Sequence, residues 1–401
     1  MDFTSRLTEL GFAQLVVRAI LLLLTGIFLL IAFIAFRRWY RGRYFRRLSE
    51  RTFALRSQWD DILTGKAPAS SWRTKPLDCE IVESMVLDGI ESSNSSLELE
   101  QLLNCLRSSG LLDMRIHQAR AVTGWKRRSA LVALGRTHTL EAIAPLTDAL
   151  DSPEDETRVA AVRGLGLIGL PQAAIPMLEY LLQGQREIPE HVLKNALVNC
   201  CRISPGILLR YLKEATGDRR KLLARVLGEL ATPQLGEDLI LLATDGDAEV
   251  RASAARALGN SQPSFALPVL SVMVSDKEWF VRLRAVVALA SLHHEARIRP
   301  LLHALCDSNR YVRQRAAWAL AQMGSNLDNI LSQVVETQDN YALQAFISEL
   351  ERSGEIDHLV EALQGPQGKN AARDILLQTL SATRRNIEQA SKAMAVSVGG
   401  H

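Results

Sequence analysis

The sequence predicts an all-α protein, a solenoid of stacked helix pairs preceded by one transmembrane helix. Two observations predict it. A thirty-one-residue period sets Leu134-Gly135, Leu165-Gly166, Ala196-Leu197, Leu227-Gly228, Leu258-Gly259, Leu289-Ala290 and Leu320-Ala321 on one lattice without slippage. Self-similarity at such a period marks a repeat in which each helix pair covers its neighbour's apolar face. The second observation is Leu15–Phe36, LVVRAILLLLTGIFLLIAFIAF, 22 residues with a single charge at Arg18. At about 1.5 Å per residue it reaches roughly 33 Å, enough for a hydrocarbon core of about 30 Å.

In chain order, residues 1–14 are expected as a short extracytoplasmic amino terminus and 15–36 as the membrane span. Arg18 lies within one turn of the outer end, where its stem can snorkel to the interface. Arg37, Arg38, Arg41, Arg43, Arg46 and Arg47 follow, interleaved with Trp39, Tyr40, Tyr44 and Phe45. Aromatic rings favour the membrane interface, and basic flanks stay on the cytoplasmic side. The expected topology is that of a bacterial-type inner membrane, with the amino terminus outside and the array in the cytoplasm. The same cluster suits anionic lipid headgroups. A cleaved signal peptide is disfavoured by Asp2 and Glu9, by the missing A-x-A site and by arginines where cleavage would fall.

Residues 37–63 are expected as a basic, aromatic juxtamembrane amphipathic helix, with Leu48, Phe53, Leu55, Trp59 and Leu63 at helical spacings. Residues 64–76, TGKAPASSWRTKP, read as a linker. The array is expected over 77–380, with 97–107 as a degenerate opening unit and 381–401 as a flexible tail. Within each unit a first helix opens near a proline (Pro145, Pro176, Pro268, Pro300), which a first turn tolerates because its missing N–H has no partner there. A turn containing Asp or Gly follows, as at Asp276 and Asp307. The second helix opens on Val-Arg: Val250-Arg251, Val281-Arg282, Val312-Arg313. Arginine recurs on the period at Arg127, Arg158, Arg220, Arg251, Arg282 and Arg313, with Pro189 and Gln344 breaking the column.

These residues resemble HEAT repeats over roughly 110–350, and the compact period is similar to that of the HEAT-like proteins among phycobilisome lyases. The resemblance implies a fold and does not fix a function. It also implies that the helix-opening arginines pair with an aspartate of a neighbouring turn. Arg251, Arg282 and Arg313 with Asp247, Asp276 and Asp307 fit that structural role.

Charge and chemistry narrow the function. Residues 1–47 carry eight arginines and two acids, while the rest of the chain holds 39 basic and 42 acidic residues, a net of −3. A near-neutral body disfavours a nucleic-acid binder, which needs a positive footprint. Five cysteines without C-x-x-C spacing fit a reduced compartment, and adjacent Cys200-Cys201 reads as buried thiols. Deoxyhypusine hydroxylase-like proteins use several His-Glu pairs to hold two irons. Here His294-Glu295 stands alone, in what reads as a solvated turn. No glycine-rich phosphate loop, G-x-S-x-G elbow or zinc spacing occurs. No catalytic residue, metal or cofactor is assigned, and a lyase-like enzyme is the alternative class.

Surface remains. One column of the second helices reads Val132, Arg163, Lys194, Arg225, Arg256, Val287, Trp318. In HEAT-type solenoids the second helix lines the concave face, so four successive repeats would offer cations to a groove. Trp279, Phe280 and Tyr311 open later second helices, and Tyr341 continues the set. A groove passing from basic to aromatic suits an acidic peptide with an apolar end. The sequence is thus read as a single-pass, membrane-tethered scaffold or adaptor. Its protein partner would be membrane-associated, and no oligomeric state is assigned. A scaffold with its array on the extracytoplasmic side is the alternative arrangement.

Overall fold

The computed structural model describes residues 3–93, 95–184, 188–324 and 327–356, with the backbone alone described for 3–20. The expected tail at 381–401 and the end of the array at 357–380 lie outside the described residues. Every regular element among those described is helical. The chain divides into two compact units, Met1–Ala121 and the remainder from Val122.

In the first unit α1 (Phe3–Arg56) is one unbroken helix of 54 residues. It runs through both the expected span and most of the expected juxtamembrane helix, because no proline or capping residue separates them. By length and composition it can cross a membrane. After it come α2 (Trp59–Leu63), α3 (Ser70–Arg73), α4 (Pro76–Ser92), α5 (Ser96–Ser108) and α6 (Leu111–Ala121). The stretch expected as a linker, 64–76, is folded rather than open. Trp72 within α3 is buried, and Arg73 Nη1 donates to the Ser109 carbonyl at 2.9 Å. One tryptophan outweighs the surrounding Gly, Pro and Ser, since burying its ring removes a large apolar area from water. Two partly buried ion pairs complete the unit. Arg51 binds Asp78 through Nε at 2.9 Å and Nη2 at 2.5 Å, and Arg115 binds Glu83. The Arg51 guanidinium holds the Asp78 carboxyl below the usual aspartate range.

The second unit is built of helix pairs. Its second helices are α7 (Gly124–Arg136), α9 (Asp155–Ile168), α11 (Glu190–Cys201), α13 (Gly217–Leu230), α15 (Ala248–Ser261), α17 (Trp279–Ser291), α19 (Arg310–Ala321) and α21 (Asn340–Ser353). The first helices are α8 (Ile143–Asp148), α10 (Pro171–Gln183), α12 (Ile207–Glu214), α14 (Gly236–Ala243), α16 (Ala266–Met273), α18 (Ile298–Leu305) and α20 (Leu327–Glu336). Each second helix packs on the next, forming one layer, with the first helices against it. The leucine column Leu134, Leu165, Leu227, Leu258, Leu289 and Leu320 is fully buried or nearly so. Beside it, glycine is required by contact. A Cβ on Gly135 would meet the Gly164 carbonyl oxygen at 2.5 Å, and one on Gly259 would meet Ala288 Cβ at 2.8 Å.

Proline is third in α8, α16 and α18, as expected of a helix opening. Pro176 instead lies inside α10, which opens on Pro171. The second helices also begin two residues before Val-Arg, at Ala248, Trp279 and Arg310.

Candidate protein-docking surface

The arginines at the openings of the second helices form a ladder. Arg220 Nη2 reaches Asp245 at 2.5 Å, Arg251 grips Asp276 with Nε and Nη2 at 2.7 and 2.9 Å, and Arg282 grips Asp307 at 2.5 and 2.8 Å. Each Arg–Asp step spans 25 residues, from one repeat to the turn of the next. Three of the arginines also brace their own turns: Arg251, Arg282 and Arg313 donate Nη1 to the carbonyls of Asp245, Asp276 and Asp307. The aspartates in turn accept the backbone N–H two residues on. Partial burial pushes the carboxyls of Asp245, Asp276 and Asp307 up, but the arginines and those N–H groups hold all three below the ordinary aspartate value.

One expected partner is corrected. Asp247 is no rung, because it caps α15 by accepting the Glu249 N–H at 2.8 Å. The ladder also ends before Arg313, whose next-turn position is Gln338; Arg313 stacks instead on Tyr341, 5.5 Å from the ring centroid. For Arg158 the residue at that step is Gln183, and Arg158 takes Asp155 of its own helix at 2.5 Å. Arg127 occupies the same helix position in α7 and is half-buried.

The basic column is corrected in its chemistry. Lys194, Arg225 and Arg256 do share a face, but carboxylates stand among them. Lys194 Nζ lies 2.5 Å from Glu229, Arg256 Nη1 3.1 Å from the same Glu229 oxygen, and Arg225 Nη2 2.9 Å from Glu190. Burial raises the Glu229 carboxyl, but Lys194 and Arg256 overcome it and hold the group below its usual value. Only Arg163 of the four is exposed with no ion pair recorded among the described residues. With Arg163 the column holds four cations and two carboxylates, so its positive charge is lowered rather than cancelled.

The aromatic set assembles across repeats. Trp279 packs edge-on to Phe280 at 6.1 Å and tilted against Tyr311 at 6.0 Å. Arg310 lies over Tyr311 at 4.7 Å and Arg315 over Trp318 at 4.1 Å. Trp279, Tyr311 and Tyr341 remain exposed at 42%, 49% and 71%, so these rings are not filling a gap between repeats.

On α1 the cluster Arg37, Arg38, Trp39, Tyr40, Arg41, Arg43, Arg46 and Arg47 is exposed around the helix, and Arg43 lies over the Trp39 ring at 5.6 Å. Elsewhere, burial pushes the Cys200 and Cys201 thiols up to about 12, which makes them poor nucleophiles. His294 is not merely a solvated turn, since its Nδ1 accepts the Ala296 N–H and opens a short helical turn. Among the described residues no cluster of His, Cys, Asp or Glu is arranged to hold a metal ion.

A family profile agrees with this architecture. The HEAT repeats profile matches residues 112–197, 205–290, 236–321 and 266–351. No curated protein matches the sequence. An engineered protein of solved structure is 19% identical over 75% of this chain and 98% of its own, with a TM-score of 0.34. The CpcE–CpcF complex of phycocyanin lyase from Nostoc sp. PCC7120 is 20% identical over 55% of this chain and 92% of its own, TM-score 0.25. Human deoxyhypusine hydroxylase is 20% identical over 61% of this chain and 98% of its own, TM-score 0.26. With the profile covering more than half of its length, this chain belongs to the HEAT-repeat family.

Proposed function

We propose that the protein is a membrane-tethered scaffold or adaptor whose repeats bind a protein partner. The carrying observation is the row of exposed rings, Trp279, Tyr311 and Tyr341, standing on three successive second helices. Exposed aromatics beside arginine are the side chains that dominate protein–protein hot spots. Tethering is supported by α1, where Leu21–Phe36 leaves its large apolar side chains at 45–74% exposure, a cover that a bilayer would supply. Two partners held at one membrane meet at high effective concentration, so a weak docking surface suffices. The partner is accordingly a membrane-associated protein, and the arginines of 37–47 support repeats on the cytoplasmic side of an inner membrane.

Orientation has a native probe. Of the five cysteines, Cys306 alone is exposed. A membrane-impermeant maleimide should leave it unlabelled in sealed right-side-out vesicles and label it in inverted ones. The opposite pattern moves the repeats outside. Partner binding is tested by crosslinking the tagged, full-length protein in its membrane and identifying the adducts by mass spectrometry. One reproducible membrane-associated protein supports the scaffold, and no reproducible adduct overturns it.

A further inference from the structure

The second-helix face of α17, α19 and α21 differs from the rest of that layer in a way that specifies a ligand. Residues spaced i, i+3, i+4 and i+7 share a helix face. On α17 that face is Phe280, Leu283, Arg284 and Val287, and on α19 it is Tyr311, Gln314, Arg315 and Trp318. Neither helix contains an Asp or Glu. On α21 the face begins with Tyr341, Gln344 and Ser348, which are exposed and uncharged, and charge returns only in the last turn at Glu351 and Arg352.

The carboxylates at the openings of these helices and in their turns are engaged or precede the helix. Asp276 and Asp307 are held by Arg251 and Arg282, Asp339 caps α21, and Glu278 precedes α17. Arg284 is exposed, and no ion pair with a carboxylate is recorded for it, Arg310 or Arg315 among the described residues. Arg315 Nε is buried without an acceptor among the described residues, while its guanidinium lies on Trp318. A buried N–H left unmade costs about 1–3 kcal/mol, and an incoming carboxylate would satisfy it.

Resting on the scaffold reading, we infer that the partner presents an acidic segment bearing an aromatic or aliphatic anchor, and that it docks across α17, α19 and α21. Its carboxylates pair with Arg284 and Arg315, and its apolar side chain lies against Trp279, Phe280 and Tyr311. Three helices at about 9 Å spacing offer roughly 18 Å, which about six extended residues cross. Arginine and aromatic rings also stack on bases. The protein ligand is favoured because the chain beyond residue 47 carries a net charge of −3 and this face is a small positive footprint.

The test uses the full-length protein in detergent and fluorescent peptides of alternating Glu and Phe or Leu, read by anisotropy. The acidic peptide should bind at least about tenfold more tightly than the same peptide with Lys for Glu or Ser for the apolar residues, and added salt should weaken it. The double variant Arg284→Glu with Arg315→Glu, and separately Trp279→Ser, should each cost about tenfold in affinity. Arg225→Glu with Arg256→Glu should change it less than twofold. Unchanged helical circular dichroism and melting certify that each variant is folded. Equal binding of acidic and basic peptides overturns the inference, as does full binding by the Arg284/Arg315 variant. Displacement by a single-stranded oligonucleotide at physiological salt also overturns it and assigns the face to nucleic acid. A crosslinked partner that contacts the repeats only elsewhere sinks this inference and leaves the scaffold standing. With no crosslinked partner at all, both fall.

Discussion

The middle repeats, α11 to α15, and the late ones, α17 to α21, share a period, and α13, α15, α17 and α19 share a buried leucine column and an arginine at the same helix opening, yet the two groups present different surfaces. In the middle repeats cations alternate with carboxylates and are partly neutralised by Glu190 and Glu229. In the late repeats carboxylates are absent from α17 and α19, and exposed rings take their place. The interior differs too. Glycine stands at 228 and 259 against a neighbouring helix, while alanine fills the same position at 290 and 321. A repeat can thus hold its inner positions constant while its exposed positions change freely. Function in such an array is carried by departures from the period.

Experiments that probe this division can be ranked by expected effect. Asp276→Ala should be the most damaging, removing about 3–5 kcal/mol by leaving the Arg251 guanidinium, 8% exposed, without its carboxylate. Urea unfolding checks it, and a loss below about 1 kcal/mol would mean the ladder is ornamental. Gly259→Ala should cost about 1–3 kcal/mol, since the new Cβ meets Ala288 at 2.8 Å. Ala290→Gly, at the same lattice position, should cost only about 0.5–1 kcal/mol through helix propensity. Equal losses at the two sites would erase the interior contrast. Glu229→Gln should shift stability by about 0–1 kcal/mol, as befits a surface network.

Acid should act on the ladder. Asp245, Asp276 and Asp307 titrate below their unfolded value of about 3.9, so their stabilisation is complete above that pH and lost as pH falls through the folded values. Thermal melts from pH 6 down to about pH 2 should show a fall confined to the acid end, and Asp276→Asn should flatten part of it.

The regular part of the fold was legible because leucine, glycine and arginine recur at fixed steps. The rungs were half legible. Asp245, Asp276 and Asp307 lie on the period, but Asp247 sits two residues away and imitates a rung by composition while acting as a cap. The acids within the basic column were not legible because that column was read alone. Glu190 and Glu229 stand about one turn from it, where helical geometry brings them beside Lys194, Arg225 and Arg256. The aromatic set was legible as a cluster because Phe280 and Tyr311 share a lattice position and Trp279 and Tyr341 stand beside them. The fold of 64–76 was hidden because one buried ring, Trp72, decides it against local composition.

The most direct test of the account is a photo-crosslinking scan in native membranes. A photoreactive residue would replace Arg163, Lys194, Arg225 or Arg256 in one series, and Leu283, Val287, Gln314 or Gln344 in the other. The account predicts adducts to one membrane-associated protein from the late series and few or none from the middle series. Adducts concentrated in the middle series, or spread evenly over both, would contradict it.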